Sequence, residues 1–451
     1  MTSSVHDHEA PKVNPTRRPS LVTPVLVAAC LAIGSVLPAI IATGGAAFQD
    51  MGEWLYEGRV LQYVIATGDT SEFYFRDYPV PYALPHLLLA GLMLVMPPTA
   101  AGITAISLQL LAGCVVIAAL VKKFALNPVA GSALLTVPMV LTSAFWNGYS
   151  GHQIGLAILG AYIAIPSRWQ TRWWVVAAFG VLTFFTHGMI FGCFGVIAGV
   201  YGIYARRLHH IAVGSAPSLG LAAWYVLANT EQTGSGELQL GGPLQFLAYK
   251  GYSLAKVGGY QNLLINGVGD PKPLMLVGAI VNVLFVVALA ALVVPHLVRA
   301  LRTRSAIGPE MAAGLILLAI ALALPASLLE IVNPGERLLT PAAVLLVTAT
   351  AAELPRVTSR VVGSAAVAGV ALTATSALLL PWKSASGDPT PLDPMVISSS
   401  DASDRVDLLF SHRLDQFETR AALAQQSWLD DTPPPEPLAF RTTILDGNIA
   451  R

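Results

Sequence analysis

Long apolar runs separated by short polar segments make up most of the chain. A helix needs ~20 apolar residues to cross the hydrocarbon core of a bilayer, and several runs approach that length. The pattern predicts an all-α polytopic membrane protein with about 11–12 transmembrane helices. The candidate spans are 21–43, 100–121, 128–145, 152–166, 172–186, 188–204, 211–229, 273–298, 309–332, 338–353 and 360–381. The first run is too long for a signal-peptide core, so we expect an uncleaved span.

Two stretches have more than one interpretation. Residues 172–204 could form two short helices that meet near Thr186-His187-Gly188, or one long tilted helix. Residues 80–97 are rich in proline and predict a juxtamembrane or re-entrant segment. If Lys122 and Lys123 lie outside, however, 80–97 would be a further crossing.

Composition supports the membrane assignment. Only 12% of the residues are charged and 54% are hydrophobic, with a mean hydropathy of +0.63. Soluble proteins carry roughly a quarter charged residues. These values exclude a soluble enzyme and a disulfide scaffold, and the net charge of +0 excludes a nucleic-acid binder.

Basic residues are distributed unevenly between the two sides of the predicted membrane. Fourteen Lys and Arg fall in the N-terminal tail and alternate loops, against six in the opposite loops. Because basic loops stay in the cytoplasm, the tail 1–20 is expected inside, ahead of a membrane domain over 21–381 in the plasma membrane. The segments expected outside are the loops 44–79, 230–272 and 333–337 and the polar C-terminal tail 382–451.

The first outer loop has the clearest amphipathic pattern. Asp50, Glu53 and Glu57 share one helical face. The opposite face is apolar, so the pattern predicts a juxtamembrane helix at the outer surface. The acids form either a solvated face or part of a catalytic site. The apolar positions are Met51, Trp54, Leu55, Gly58, Leu61 and Ile65.

The same region resembles a known family. A first span, an outer loop opening on Asp50, a short helix and then Tyr78-Pro79-Val80-Pro81-Tyr82 resemble the GT-C superfamily of integral-membrane glycosyltransferases, over about the first 125 residues. The resemblance implies sugar transfer from a polyprenyl-phosphate donor to an envelope glycolipid or polysaccharide. It makes Asp50 the catalytic base or a metal-associated carboxylate. The usual second acid is adjacent; here Glu53 lies one turn on.

The donor phosphate needs a cationic partner, and the predicted outer loops contain candidates for it. Arg337 ends the turn over 333–337, and the resemblance adds weight because a late-span Arg often contacts the lipid phosphate. A guanidinium binds phosphate through a bidentate fork. The alternatives are an interfacial anchor or an ion pair with Glu336. Glu330, inside the preceding apolar run, is a candidate polar contact because an intramembrane acid usually faces a partner or cavity.

Other charged residues are weaker candidates for the same site. Lys250 and Lys256 lie in an amphipathic stretch that is either a lid over the donor or a surface anchor. Arg76 is either a phosphate contact or the partner of Asp77, itself a further supporting acid with Glu53 and Glu57. His152 and His187 are candidate polar contacts, although a membrane histidine more often serves helix packing.

No cofactor is required by any motif. No cluster has metal-ligand spacing and no glycine-rich phosphate loop is present, so ATP is not expected. The sequence leaves open whether the protein uses a divalent metal. The expected partners are the bilayer, the acceptor and a polyprenyl-phosphate sugar, with mannose or arabinofuranose favoured by a composition typical of actinobacteria. A lipid or solute transporter, a flippase and a non-catalytic scaffold of an envelope-assembly complex are the alternative functions.

Overall fold

The computed structural model describes most of the chain between residues 21 and 379. The described ranges are 21–43, 51–68, 78–228, 242–261, 272–303, 307–325, 327–328, 331–332, 334–350 and 356–379. Over these ranges the secondary structure is helical apart from one two-stranded antiparallel pair, as the all-α prediction requires. The C-terminal tail 382–451 lies outside the described residues.

The helices follow the order of the apolar runs. They are α1 Val22–Thr43, α2 Met51–Thr67, α3 Ala83–Met93, α4 Pro98–Lys123, α5 Pro128–Met139, α6 Ser143–Trp146, α7 Ser150–Ala164, α8 Ser167–Gln170, α9 Trp173–Thr186, α10 Gly188–Tyr204, α11 Leu208–Ala228, α12 Pro243–Ala255, α13 Lys272–Thr303, α14 Pro309–Ala323, α15 Pro334–Thr350 and α16 Arg356–Leu379. The strands are β1 Ser327–Leu328 and β2 Ile331–Val332, with Ser327 opposite Val332.

Three of the described helices are long and apolar enough to cross a bilayer by length and composition. They comprise Ala100–Lys123, Leu208–Ala228 and Leu276–Thr303. Seven shorter apolar helices of 10–17 residues accompany them, among them Pro128–Met139 and Gly188–Tyr204. Large apolar side chains such as Trp224 are exposed on these helices, as lipid-facing residues are. The protein is therefore embedded in a membrane.

Several helix boundaries differ from the sequence-based expectation. The run 172–204 is two helices, α9 and α10, because His187 between them is extended. The predicted span 309–332 was too long: α14 ends at Ala323, since Leu324 precedes a proline and is extended. Glu330 lies outside the described residues, and its predicted role stays a prediction. The span 128–145 was also wrong, because it divides into α5 and α6.

The turn predicted over 333–337 is mostly helical. Pro334 is the first residue of α15, so Glu336 and Arg337 lie in its first turn. α15 is buried along nearly its whole length and packs on α5, α10 and α14. Both side chains are thus attached to one of the most enclosed helices of the described structure.

The segment after α12 enters the helix bundle. Residues 257–261 are buried, and Tyr260 exchanges two hydrogen bonds with Asn282 of α13: its N–H donates to Oδ1 at 2.8 Å and its carbonyl accepts from Nδ2 at 2.7 Å. The N–H of Gln261 donates to Oγ1 of Thr373 on α16 at 2.9 Å. Non-helical backbone inside a membrane protein persists only where such partners replace water. This part of the expected outer loop is therefore inserted between α13 and α16.

Candidate functional site

A polar cleft lies at the start of α15, where the α6–α7 junction meets it. The space between its walls, counted together with its open mouth, is about 360 Å³. We call it the Arg337 cleft. Its lining residues are Ser143, Ala144, Asn147, Tyr149, His152, Glu336, Arg337 and Thr340.

Arg337 is the cation of this cleft. Its guanidinium carbon lies 4.8 Å from the ring centroid of Tyr149, and Nη1 lies 3.1 Å from Nε2 of His187. Among the described residues no carboxylate pairs with it. The expected alternative of a pair with Glu336 is not what the structure has: Oε1 of Glu336 accepts from Ser143 and Oε2 is bound by Lys256. An anion that neutralises Arg337 must therefore come from outside the described residues.

The contact with His187 occupies only part of the guanidinium. Nδ1 of His187 accepts from the N–H of Met189 at 3.1 Å and so caps α10. A guanidinium has five N–H donors, and this contact involves one of its three nitrogens. Donors of Arg337 therefore remain for an oxygen acceptor.

A series of ring contacts connects Arg337 with α2. Tyr82 lies edge-on to His187, with centroids 4.8 Å apart. Trp54 of α2 lies 6.5 Å from Tyr82 and stacks on His86 at 4.7 Å. Tyr82 has a φ of 82°, a left-handed conformation that costs a non-glycine residue about 1 kcal/mol or more. Burial raises the pKa of Tyr82 to about 12 although Arg337 opposes this, so its phenol stays protonated beside Arg337.

The amphipathic helix predicted in the first outer loop is present as α2. Trp54 and Leu61, from its predicted apolar face, are buried, whereas Ile65 is exposed. Glu53 and Glu57 lie in α2, but their side chains fall outside the described part. Asp50, Arg76 and Asp77 also lie outside the described residues. Their predicted roles therefore stay predictions.

The two lysines of α12 and its end are already engaged. Lys256 lies 3.0 Å from Oε2 of Glu336. Burial alone would lower the pKa of Lys256, but the charge of Glu336, aided by Tyr252, raises it. Lys250 donates to the carbonyls of Ala321, at 2.8 Å, and Leu324. Burial lowers its pKa. Both contacts attach α12 to the helix pair that carries Arg337, and phosphate binding by these lysines stays a prediction.

His152 is fully buried in the first turn of α7, and its Nε2 lies 3.3 Å from the carbonyl oxygen of Arg337. Its ring also lies edge-on to His187, with centroids 5.2 Å apart. The close approach depends on Gly151, since a Cβ there would lie 2.4 Å from the carbonyl oxygen of Thr186. The two predicted histidines therefore meet at Arg337.

Sequence reasoning missed several residues of the cleft. Asn147 and Tyr149 flank Gly148 in a short turn between apolar segments, and this turn was the available signal. Nothing local to Ser143 distinguishes it from other helix-starting serines. In the described ranges, no group of three or more His, Cys, Asp or Glu could hold a metal ion.

No protein-family model, no characterised protein and no solved structure matches the chain.

Proposed function

We propose that the protein is a membrane glycosyltransferase. It moves a sugar from a polyprenyl-phosphate donor to an envelope glycolipid or polysaccharide at the outer membrane face, with Asp50 as general base. The observation that carries the proposal is the Arg337 guanidinium, which has no carboxylate partner among the described residues and lines a polar cleft. Ring contacts join this cleft to α2, which begins directly after Asp50.

The chemistry requires one base and one cationic group. The Asp50 carboxylate takes the proton of the acceptor hydroxyl as its oxygen attacks the anomeric carbon. The bond between that carbon and the phosphate oxygen breaks, and Arg337 stabilises the phosphate that leaves. Glu53, one turn from Asp50, would raise the pKa of Asp50 by like-charge repulsion. A divalent metal at the acidic loop is compatible with this scheme.

The finer topology is part of the proposal. It comprises about 11–12 spans with a GT-C-like arrangement, a cytoplasmic N-terminus and an extracytoplasmic tail over 382–451 in the plasma membrane. Support comes from the way helix ends group into two rims. The outer rim joins the starts of α7, α10 and α15 around Arg337. The inner rim joins the ends of α4 and α7, where Lys123 donates to Ile163 and Ile165, and the end of α10, where Tyr204 donates to Ile307.

Asp50→Asn is the test of the enzymatic proposal. The variant keeps the side-chain shape and loses the base, so sugar transfer from a radiolabelled decaprenyl-phosphate sugar in reconstituted vesicles should stop. Asp77→Asn is the comparison variant and should lose less activity, because Asp77 is proposed only as a supporting acid. Full transfer by Asp50→Asn with loss in Asp77→Asn would show that the other acid is the base.

Asp50→Asn and a deletion of 382–451 separate the alternative functions. A transporter or flippase should be nearly indifferent to Asp50→Asn in a lipid-flip assay. A scaffold should instead lose partner binding on deletion of 382–451. No described glutamate or aspartate lies within the three long apolar helices, which disfavours an ion-coupled transporter.

The orientation is tested by labelling introduced cysteines in intact cells. Cys30 is exposed and is first replaced by serine, whereas Cys114 and Cys193 are buried. In that background Ser399→Cys should react with an impermeant maleimide and Ser4→Cys should not. The reverse pattern would move the cleft to the cytoplasmic side.

A further inference from the structure

His152 presents an acceptor nitrogen to the structure around it. A main-chain carbonyl can only accept, so the contact between Nε2 of His152 and the Arg337 carbonyl places the ring proton on Nε2. Nδ1 then carries no proton and can only accept a hydrogen bond. It is buried and has no hydrogen-bond partner among the described residues. Such a group costs about 1–3 kcal/mol when nothing satisfies it.

Asn147 provides a second acceptor in the same cleft. Its Oδ1 is also buried without a hydrogen-bond partner in the described part of the chain. Asn147 and His152 both line the Arg337 cleft, one directly after α6 and the other in the first turn of α7. Two acceptors without a partner among the described residues therefore share a cleft with Arg337, which no described carboxylate pairs.

The two kinds of group select different parts of a ligand. A phosphate oxygen is attracted to Arg337 and repelled by the lone pairs of His152 and Asn147. A hydroxyl group has the donor that both acceptors lack. A ligand that joins an anion to several hydroxyls would satisfy all three residues at once.

We propose that His152 and Asn147 are sugar-recognition residues, which accept hydrogen bonds from hydroxyls of the sugar whose phosphate Arg337 binds. This inference rests on the proposed function, since it needs a phosphate-linked sugar in the cleft. It assigns Nδ1 of His152 and Oδ1 of Asn147 to binding, and it gives His152 a role other than helix packing.

The experiment measures lipid binding to the full chain in phosphatidylcholine nanodiscs. Tritiated decaprenyl phosphate is the bare probe, and decaprenylphosphoryl-mannose and decaprenylphosphoryl-arabinofuranose compete with it. Each neutral hydrogen bond is worth about two- to tenfold in affinity. The wild-type chain should therefore prefer at least one sugar-bearing lipid over the bare lipid by about fivefold or more.

Two variants remove the acceptors separately. His152→Gln keeps an amide N–H near the Nε2 position, for the Arg337 carbonyl, and loses Nδ1. Asn147→Ala loses Oδ1. Each should reduce the preference for the sugar by about two- to tenfold and leave the affinity for decaprenyl phosphate unchanged, a pattern that a general loss of structure would not produce.

Thr348→Val is the matched control. It removes a buried hydroxyl from α15 that bonds to its own helix at Leu345, outside the cleft, and it should keep the preference. Equal affinity of wild type for bare and sugar-bearing lipids overturns the inference and leaves the phosphate site standing, as does an unchanged preference in both acceptor variants. If the folded wild-type chain binds none of these lipids, the proposed function fails with it.

Discussion

The cations on the two rims of the helix bundle differ in the partners of their donor groups. On the rim proposed to face inward, Lys123 donates to the carbonyls of Ile163 at 2.6 Å and Ile165 at 2.8 Å, at the end of α7. On the rim proposed to face outward, Arg337 contacts an aromatic face and a histidine, and no carboxylate of the described residues pairs with it. One cation has its donors used by the protein, and the other has donors left over.

The difference separates structural cations from binding cations. A lysine that donates to carbonyls at a helix end satisfies groups that the helix leaves unpaired and interacts favourably with the helix dipole. Lys250 belongs to this kind although it lies on the outer rim, because it donates to Ala321 and Leu324 at the end of α14. Charge and position alone therefore do not distinguish Arg337 from Lys250; the partners of their donor groups do.

The largest effect is expected from Arg337→Ala. Hydrogen bonds to a charged group contribute about 1.5–3 kcal/mol, so affinity for decaprenyl phosphate should fall about 100-fold. Arg337→Lys keeps the charge but loses the bidentate fork, so its affinity should lie between those of the wild type and Arg337→Ala. Lys123→Met, on the inner rim, should leave binding unchanged. Wild-type affinity in Arg337→Ala would make this residue an interfacial anchor and remove the contrast between the rims.

Lys250→Met should lower the stability of the protein and leave its affinity for decaprenyl phosphate nearly unchanged. It leaves the Ala321 and Leu324 carbonyls without their donor, at a cost of about 2 kcal/mol in the free energy of unfolding. Unfolding in detergent with increasing denaturant measures this loss. Affinity for decaprenyl phosphate should stay within about twofold. A large loss of affinity with unchanged stability would place Lys250 in the phosphate site.

Asn282→Leu tests the inserted segment that follows α12. The variant removes both bonds to the main chain of Tyr260 and should destabilise the protein by about 1.5 kcal/mol. Hydrogen exchange of the peptide containing 257–261 should rise more than that of α15. Thr375→Val is the control, since its exposed hydroxyl bonds only within α16. Equal exchange in Asn282→Leu and wild type would argue against the insertion.

The smallest effect is expected from Lys256→Met, about 1 kcal/mol, since the pair with Glu336 is partly exposed. The folded-state pKa of Lys256 is raised, so the stabilisation is fully present below the ordinary lysine pKa of about 10.4. It is lost as the pH rises through the raised value. The difference in Tm between wild type and variant should thus be present at pH 8 and shrink near pH 11. A constant difference would assign the effect to packing.

Many helix positions and boundaries follow from the local pattern of apolar and turn residues. The apolar face of α2 was predicted from its spacing, and Trp54 and Leu61 are buried accordingly. The break between α9 and α10 was one of two interpretations of a single apolar run. The early end of α14 had a local signal as well, since Pro325 restricts Leu324. Hydrophobic period and turn residues act over a few positions, which is why such features can be predicted.

The residues around Arg337 illustrate what the sequence by itself determined and what only the tertiary structure decided. The sequence determined that Arg337, His187 and His152 occur near ends of apolar segments, because hydropathy is a local property. Their meeting depends on the packing of α7, α10 and α15, which brings positions 152 and 337 into contact. Whether a cation keeps free donors is decided by its neighbours in space: Glu336 pairs with Lys256, Lys250 with carbonyls, and Arg337 with no described acid. Hydrogen-bond saturation is a property of the assembled neighbourhood, so no pattern along the chain could have revealed it.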